Sequence, residues 1–235
     1  MSVIRSCLES VRSQVQQCAN GRNVNLVAVS KFHPVEQLME AYEAGQRHFG
    51  ENYMQEFLAK AELMPKDVHW HFIGNMQSQK CKKIASVKNL YAIETIDNEK
   101  KARLVNQARE AIQTPLRIYV QINTSGEPNK AGVMPSEALE LCKVVQSLEY
   151  LRLQGLMTIG SISNSQLQDQ NPDFQLLSDL RLKLQKELNS PLELSMGMSS
   201  DFPLAIKYGS DSVRVGSSIF GSRPTEKPES VVSSK

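Results

Sequence analysis

No stretch of the sequence approaches the ~20 consecutive apolar residues that a membrane-spanning helix needs, so no such span is expected. Cysteine is scarce. Cys7, Cys18, Cys81 and Cys142 form no C-x-x-C pair, and none has a histidine at metal-ligand spacing. That argues against a local zinc or redox motif and suits reduced thiols in a cytoplasmic protein. An excess of one charge is also lacking: 27 Lys and Arg stand against 25 Asp and Glu, a net of +2. Such a balance gives no electrostatic footprint for nucleic acid or an anionic membrane. The first residues carry Arg5, Glu9 and Arg12 and therefore lack the apolar core of a signal peptide. There is no internal repeat and no domain linker. The first predicted strand is followed by Val29-Ser30-Lys31-Phe32-His33-Pro34, which has no glycine. A glycine-rich turn is what an open dinucleotide-binding sheet would require there.

What is present is an ordinary globular composition, 40% apolar and 22% charged over 235 residues. That is enough for one α/β domain with a real core. Val3, Ile4, Leu8, Val11 and Val15 describe an amphipathic helix ahead of the first strand. Short apolar runs then alternate with helical patterns. Strands are predicted at Asn25–Ser30, Arg47–Phe49, His69–Ile73, Leu90–Ile96, Leu116–Asn123, Leu151–Ile159, Leu192–Met198 and Ser212–Val215. Helices are predicted between them, the clearest with Phe174, Leu177, Leu180, Leu184 and Leu188 on one face. Eight strands alternating with helices in little over 200 residues match a single (β/α)₈ TIM-type barrel with an extra N-terminal helix. Residues 1–222 form that domain; residues 223–235, with Pro224 and Pro228, are expected to be a disordered tail.

In a parallel barrel the C-terminal strand ends form the functional face. Lys31 follows the first strand directly, where a desolvated amine is freed to attack an aldehyde. The plain alternative is a solvated rim lysine. On the last strand, alternation turns Val213 and Val215 outward and Arg214 and Gly216 inward. An inward arginine needs an acceptor. Gly216, Ser217 and Ser218 offer N–H groups and hydroxyls without bulk, and phosphates commonly bind after strands seven and eight. The alternative is an arginine paired with an internal carboxylate. The seventh strand has Leu192, Leu194, Met196 and Met198 on one face and Glu193, Ser195, Gly197 and Ser199 on the other, a polar face that suits an anion or a polar core layer. Asn52, after the second strand, is either a mouth residue or a helix N-cap. His71 reads more readily as a hydrogen-bonded core histidine than as a catalyst, and Met157-Thr158-Ile159-Gly160 either lines the pocket or simply packs.

Seven stretches, at the ends of successive predicted strands, resemble the pyridoxal phosphate homeostasis protein family, related to the N-terminal barrel of alanine racemase. They are Val27-Ala28-Val29-Ser30-Lys31, His48-Phe49-Gly50-Glu51-Asn52-Tyr53, Trp70-His71-Phe72-Ile73-Gly74, Val120-Gln121-Ile122-Asn123-Thr124-Ser125, Gly155-Leu156-Met157-Thr158-Ile159-Gly160, Leu194-Ser195-Met196-Gly197-Met198-Ser199 and Val213-Arg214-Val215-Gly216-Ser217-Ser218-Ile219-Phe220-Gly221. The resemblance implies pyridoxal 5′-phosphate (PLP) held as a Schiff base on Lys31. It implies Arg214 facing the pyridine nitrogen and Ser199, Gly216 and Ser217 cradling the phosphate. Asn52 and Met196 are implied near the ring. Phe32-His33 and Asn75 depart from the commoner pattern.

A cationic arginine at the pyridine nitrogen disfavours its protonation and weakens the ring as an electron sink. Racemisation also needs an acid–base group on each face of the substrate carbon. In alanine racemases the second is a tyrosine supplied across a dimer that has a further β-rich domain, for which this sequence shows no counterpart. The expectation is therefore a monomeric, cytoplasmic carrier of PLP in vitamin B6 homeostasis, passing the coenzyme to apo-enzymes without efficient catalysis of its own. A weak fold-type III amino-acid racemase is the alternative, and a sugar-phosphate lyase using Lys31 a third reading.

Overall fold

The structure is a computed structural model and describes residues 2–167 and 169–222. The tail expected at 223–235 lies outside the described residues. Eight strands form a closed parallel barrel in sequence order: β1 (Asn25–Val29), β2 (His48–Glu51), β3 (His69–Phe72), β4 (Leu90–Ile96), β5 (Leu116–Gln121), β6 (Leu151–Met157), β7 (Glu193–Ser195) and β8 (Ser212–Val215). Closure is by β8 on β1, with Val27 opposite Arg214 and Ala28 opposite Val215. Helix α1 (Val3–Ala19) precedes the barrel. The crossovers carry α2 (Val35–Glu43), α3 (Met54–Leu63), a 3₁₀ turn (Ser78–Lys80) running into α4 (Cys81–Ala85), α5 (Glu99–Glu110), α6 (Ala138–Gln146), α7 (Ile162–Ser165), α8 (Pro172–Leu188) and α9 (Phe202–Lys207). A last short helix, α10 (Ser217–Phe220), follows β8. The TIM-type barrel with its added N-terminal helix is thus the observed fold. Among the described residues no helix is long and apolar enough to cross a membrane.

Local chemistry explains the element ends. In α1, the Ser2 side chain accepts from the Arg5 amide, and the helix stops at Asn20 in a left-handed conformation. Ile4, Leu8, Val11, Val15 and Ala19 are buried along one face, the stripe that amphipathic spacing requires. The Asn171 side chain caps α8 and Pro172 opens it. The main core lies between sheet and helices, so Val213 and Val215 point into it while Arg214 occupies the barrel interior. A separate small cluster of Ala92, Tyr119 and Met157 sits beside Tyr91.

Four strands stop one or two residues earlier than the sequence suggests, at Val29, Phe72, Gln121 and Met157. Strand β7 is shortest relative to expectation, three residues rather than seven. The reason is Gly197, whose φ of +97° bends the chain out of the ladder. A Cβ there would come within 2.6 Å of the Ala205 methyl. Gly197→Ala combines a left-handed backbone penalty of ~1–2 kcal/mol with overpacking of ~1–3 kcal/mol. A loss of about 3 kcal/mol, read as a lower urea midpoint at unchanged slope, is the expected result.

Candidate functional site

The site is built at the C-terminal strand ends. Strand β1 ends at Val29 and the chain turns over Ser30, Lys31, Phe32 and His33. The Ser30 amide still donates to the Gly50 carbonyl (3.0 Å), and the His33 amide closes the turn on the Ser30 carbonyl (3.1 Å). Phe32 lies at φ +66°, a conformation that costs a bulky residue energy and persists only when its surroundings enforce it. Here the enforcing group is Glu56 of α3, whose two carboxylate oxygens accept from the Phe32 amide at 3.1 and 3.0 Å.

A buried ion cluster stands behind that contact. Lys60, 5% exposed, donates from Nζ to the Ser30 carbonyl (2.7 Å), to Glu51 Oε1 (2.7 Å) and to Glu56 Oε2 (3.3 Å). The Ser30 hydroxyl donates to the same Glu51 oxygen at 2.7 Å. The residues flanking Lys31 are therefore both tied to the cluster, Ser30 through its carbonyl and hydroxyl and Phe32 through its amide. Lys31 itself is half-buried. Burial pushes the Glu51 carboxyl up to about 7, against the pull of Lys60. Its second oxygen is buried without a hydrogen-bond partner among the described residues. The departures at Phe32 and His33 have a packing role: Phe32 meets the Tyr53 ring with centroids 5.1 Å apart, and His33 stacks on Phe220 at 5.1 Å.

Arg214 is 4% exposed. It donates to Ser195 Oγ (2.6 Å) and to the Thr158 carbonyl (2.8 Å), with Glu94 Oε2 3.9 Å away. The sequence alternatives for this residue merge, because it is an inward arginine and it has an internal carboxylate. Burial pushes Glu94 up, but His71, Arg214 and Ser195 outweigh burial and hold it below the ordinary carboxylate range.

After β7 and β8 the chain brings Ser199 and Gly216 together, the Gly216 amide donating to Ser199 Oγ at 3.2 Å. Gly216 sits close under the first strand, where a Cβ would lie 3.2 Å from the Val29 carbonyl oxygen. Ser217 follows, exposed, at the start of α10. Asn52 is not spent as a helix cap: α3 is capped by Tyr53 with no side-chain bond. Asn52 Oδ1 is instead buried without a hydrogen-bond partner among the described residues. Met196 stands apart from these, fully buried in the main core cluster. Its amide donates to the Ser212 carbonyl (3.2 Å) and its carbonyl accepts from Ser210 (2.8 Å).

The sequence matches the family described as alanine racemase, N-terminal domain, over residues 7–224. It is 79% identical to the pyridoxal phosphate homeostasis protein of Schizosaccharomyces pombe over 231 residues, covering 98% of each chain. The chain belongs to the pyridoxal phosphate homeostasis protein family. The human homeostasis protein is 45% identical over 94% of this chain and 86% of its own. Among solved structures, PipY of Synechococcus elongatus PCC7942 with PLP bound superposes with a TM-score of 0.79. It is 34% identical, covering 93% of this chain and all of that one (100%). Family membership thus rests on sequence and fold together, along nearly the whole chain.

Sequence reasoning missed Lys60, Glu56 and Glu94. A usable signal existed for the first two, an i,i+4 Glu–Lys pair on α3. Their contact with the β1 turn is long-range and has no sequence signature.

Proposed function

We propose that this protein binds pyridoxal 5′-phosphate covalently through Lys31 and serves coenzyme homeostasis as a carrier rather than as an efficient enzyme. The observation that carries the reading is the braced turn. A lysine sits in the turn that follows β1, at the face where a barrel binds ligands, and both its neighbours are locked by a buried ion cluster. Rigid support of this kind is what a covalent cofactor attachment requires.

PLP supplies an aldehyde that a lysine amine takes up as a Schiff base, a pyridine ring and a phosphate. The residues present fit each part. Lys31 provides the amine. Arg214 presents a fixed cation to the ring nitrogen, and Asn52 has an unused buried oxygen for the ring's polar edge. Ser199, Gly216 and Ser217 supply hydroxyls and backbone N–H groups to the phosphate. Met196 packs in the core beneath this rim. A permanently charged guanidinium opposite the ring nitrogen keeps that nitrogen unprotonated, which favours holding the coenzyme over carbanion chemistry. A chiral assay against a panel of amino acids is expected to show no robust turnover; rapid racemisation would overturn the carrier reading. We also place the protein in the cytoplasm as a monomer that hands the coenzyme transiently to apo-enzymes.

The purified protein is expected to show the visible band of a lysine-bound pyridoxal group and to lose it on borohydride reduction. Arg214→Ala is expected to weaken coenzyme retention about tenfold or more, the worth of a hydrogen bond to a charged group, while the adduct on Lys31 still forms. Equilibrium dialysis of protein shown to be folded by circular dichroism measures this. Unchanged affinity and spectrum would mean that Arg214 does not meet the coenzyme.

A further inference from the structure

A line of hydrogen bonds crosses the barrel interior from the end opposite the site to Arg214. His69 opens β3 and is exposed, and its Nδ1 lies 3.2 Å from His48 Nε2. His48 Nδ1 is 2.9 Å from His71 Nε2. His71, 1% exposed, reaches Glu94 Oε1 from Nδ1 at 2.6 Å. The other Glu94 oxygen accepts from Ser195 Oγ (2.6 Å), and Ser195 accepts from Arg214 (2.6 Å). Glu94, with no exposed surface (0%), is the one carboxylate in this line.

The outer end is wet. A cavity of about 520 Å³ opens at the N-terminal barrel face, lined by His48, Tyr91, Tyr119 and Glu193 among others. The histidines do not converge on a point: among the described residues no cluster of three or more His, Cys, Asp or Glu side chains is arranged to hold a metal ion. They are strung end to end. With Glu94 ionised and accepting, His71 is protonated at Nδ1 and a neutral ring leaves Nε2 as acceptor. His48 then donates from Nδ1, and its Nε2 accepts from His69 Nδ1. All three N–H bonds point towards Glu94.

We propose that Glu94 is the positioning residue that fixes Arg214 at the coenzyme, and that protons reach it from the far face through His69, His48 and His71. The first half rests on the coenzyme reading; the proton pathway does not. The step balances. A solvent proton adds to His69 Nε2, each Nδ1 proton moves to the next acceptor, and Glu94 ends as the neutral acid. The three rings end neutral in the opposite tautomer. Arg214 thereby loses its counter-charge and its grip on Ser195 loosens.

The surroundings favour neutral rings at His48 and His69. Burial, then the neighbouring His71, His69 and Arg117, holds His48 down to about 3. Burial, then His71, disfavours a cation on His69, as do Arg117 of β5, which lies over the Tyr91 ring of β4 at 4.0 Å, and Arg47, while Asp67 acts the other way. Asn25 of β1 stands 3.4 Å from His48 Nδ1. At the inner end, Glu94 faces Tyr119, itself bonded to Glu193 of β7 at 2.6 Å, and Arg214 also feels Asp201.

Long-range ¹H–¹⁵N NMR of the histidine rings in the coenzyme-free protein tests the pathway first. The expected result is Nδ1–H tautomers for His48 and His71, the minor form of the free histidine side chain, and loss of the His71 Nδ1–H tautomer preference in Glu94→Gln. The loaded protein then gives the consequence: after a jump to acid pH, below the ordinary carboxylate range where Glu94 is held, the visible spectrum of the wild type changes. That change is expected to be absent in Glu94→Gln and at least tenfold slower in His48→Phe, with the borohydride adduct on Lys31 retained in both. Nε2–H tautomers for these rings, or an unchanged rate after the pH jump in His48→Phe, would overturn the relay. Expected tautomers without any adduct on Lys31 would instead remove the coenzyme reading and leave the relay standing.

Discussion

Replacing Lys31 with alanine is expected to remove the proposed reducible attachment of the coenzyme completely. The amine is the sole atom set in the proposed site that can form a covalent bond to an aldehyde, so no neighbouring contact substitutes for it. What would remain is the proposed non-covalent cradle of Ser199, Gly216 and Ser217 with Arg214 behind it. Lys31→Ala protein incubated with PLP and passed over a desalting column should emerge colourless, while wild-type protein retains the band. The fold should be unaffected, because a half-buried turn residue contributes little to the core, and thermal unfolding serves as the control. Retention of a borohydride-stable adduct by the alanine variant would move the attachment to another lysine.

The second large effect is on Lys60. Lys60→Met keeps the apolar stem of the side chain and removes its ammonium, leaving Glu51 and Glu56 without their cation. Breaking a buried pair by deleting one partner costs about 3–5 kcal/mol, so the variant should unfold at markedly lower urea concentration. The loss should depend on pH in a defined sense. Burial already raises Glu51 in the folded protein, and removing Lys60 raises it further. A carboxyl whose folded pKa is raised stabilises fully below its unfolded pKa and loses that contribution as pH rises through the folded value. The penalty of Lys60→Met is therefore smallest near pH 4 and grows above pH 7. A penalty independent of pH would contradict the burial account of Glu51. The Ser30 carbonyl also loses a donor and Phe32 loses part of the support for its left-handed backbone, so the Lys31 adduct should form more slowly in the folded variant.

Much of this was legible in the sequence, and for a definite reason. Barrel strands buried on both faces read as short apolar runs, and helices between them read as amphipathic stripes, so β4 and β8 were bounded correctly and α8 nearly so. Arg214 could be turned inward by alternation alone. Strand β7 could not be bounded, because its end is set by the close packing of Gly197 on Ala205, a contact between residues whose meeting depends on the finished fold. The same holds for Lys60 and Glu94. Each is defined by partners on other strands or helices, and neither the charge nor the spacing of these residues announces that they will be buried. Met196 shows the converse limit: its motif position implied a place near the ring, whereas the packing puts its side chain in the core.

The most direct measurement of the central claim is peptide mass spectrometry of the PLP-incubated, borohydride-reduced protein. The account predicts one phosphopyridoxyl group, on the peptide that contains Lys31. An unmodified Lys31 peptide, or the same mass found on a different lysine, would contradict it.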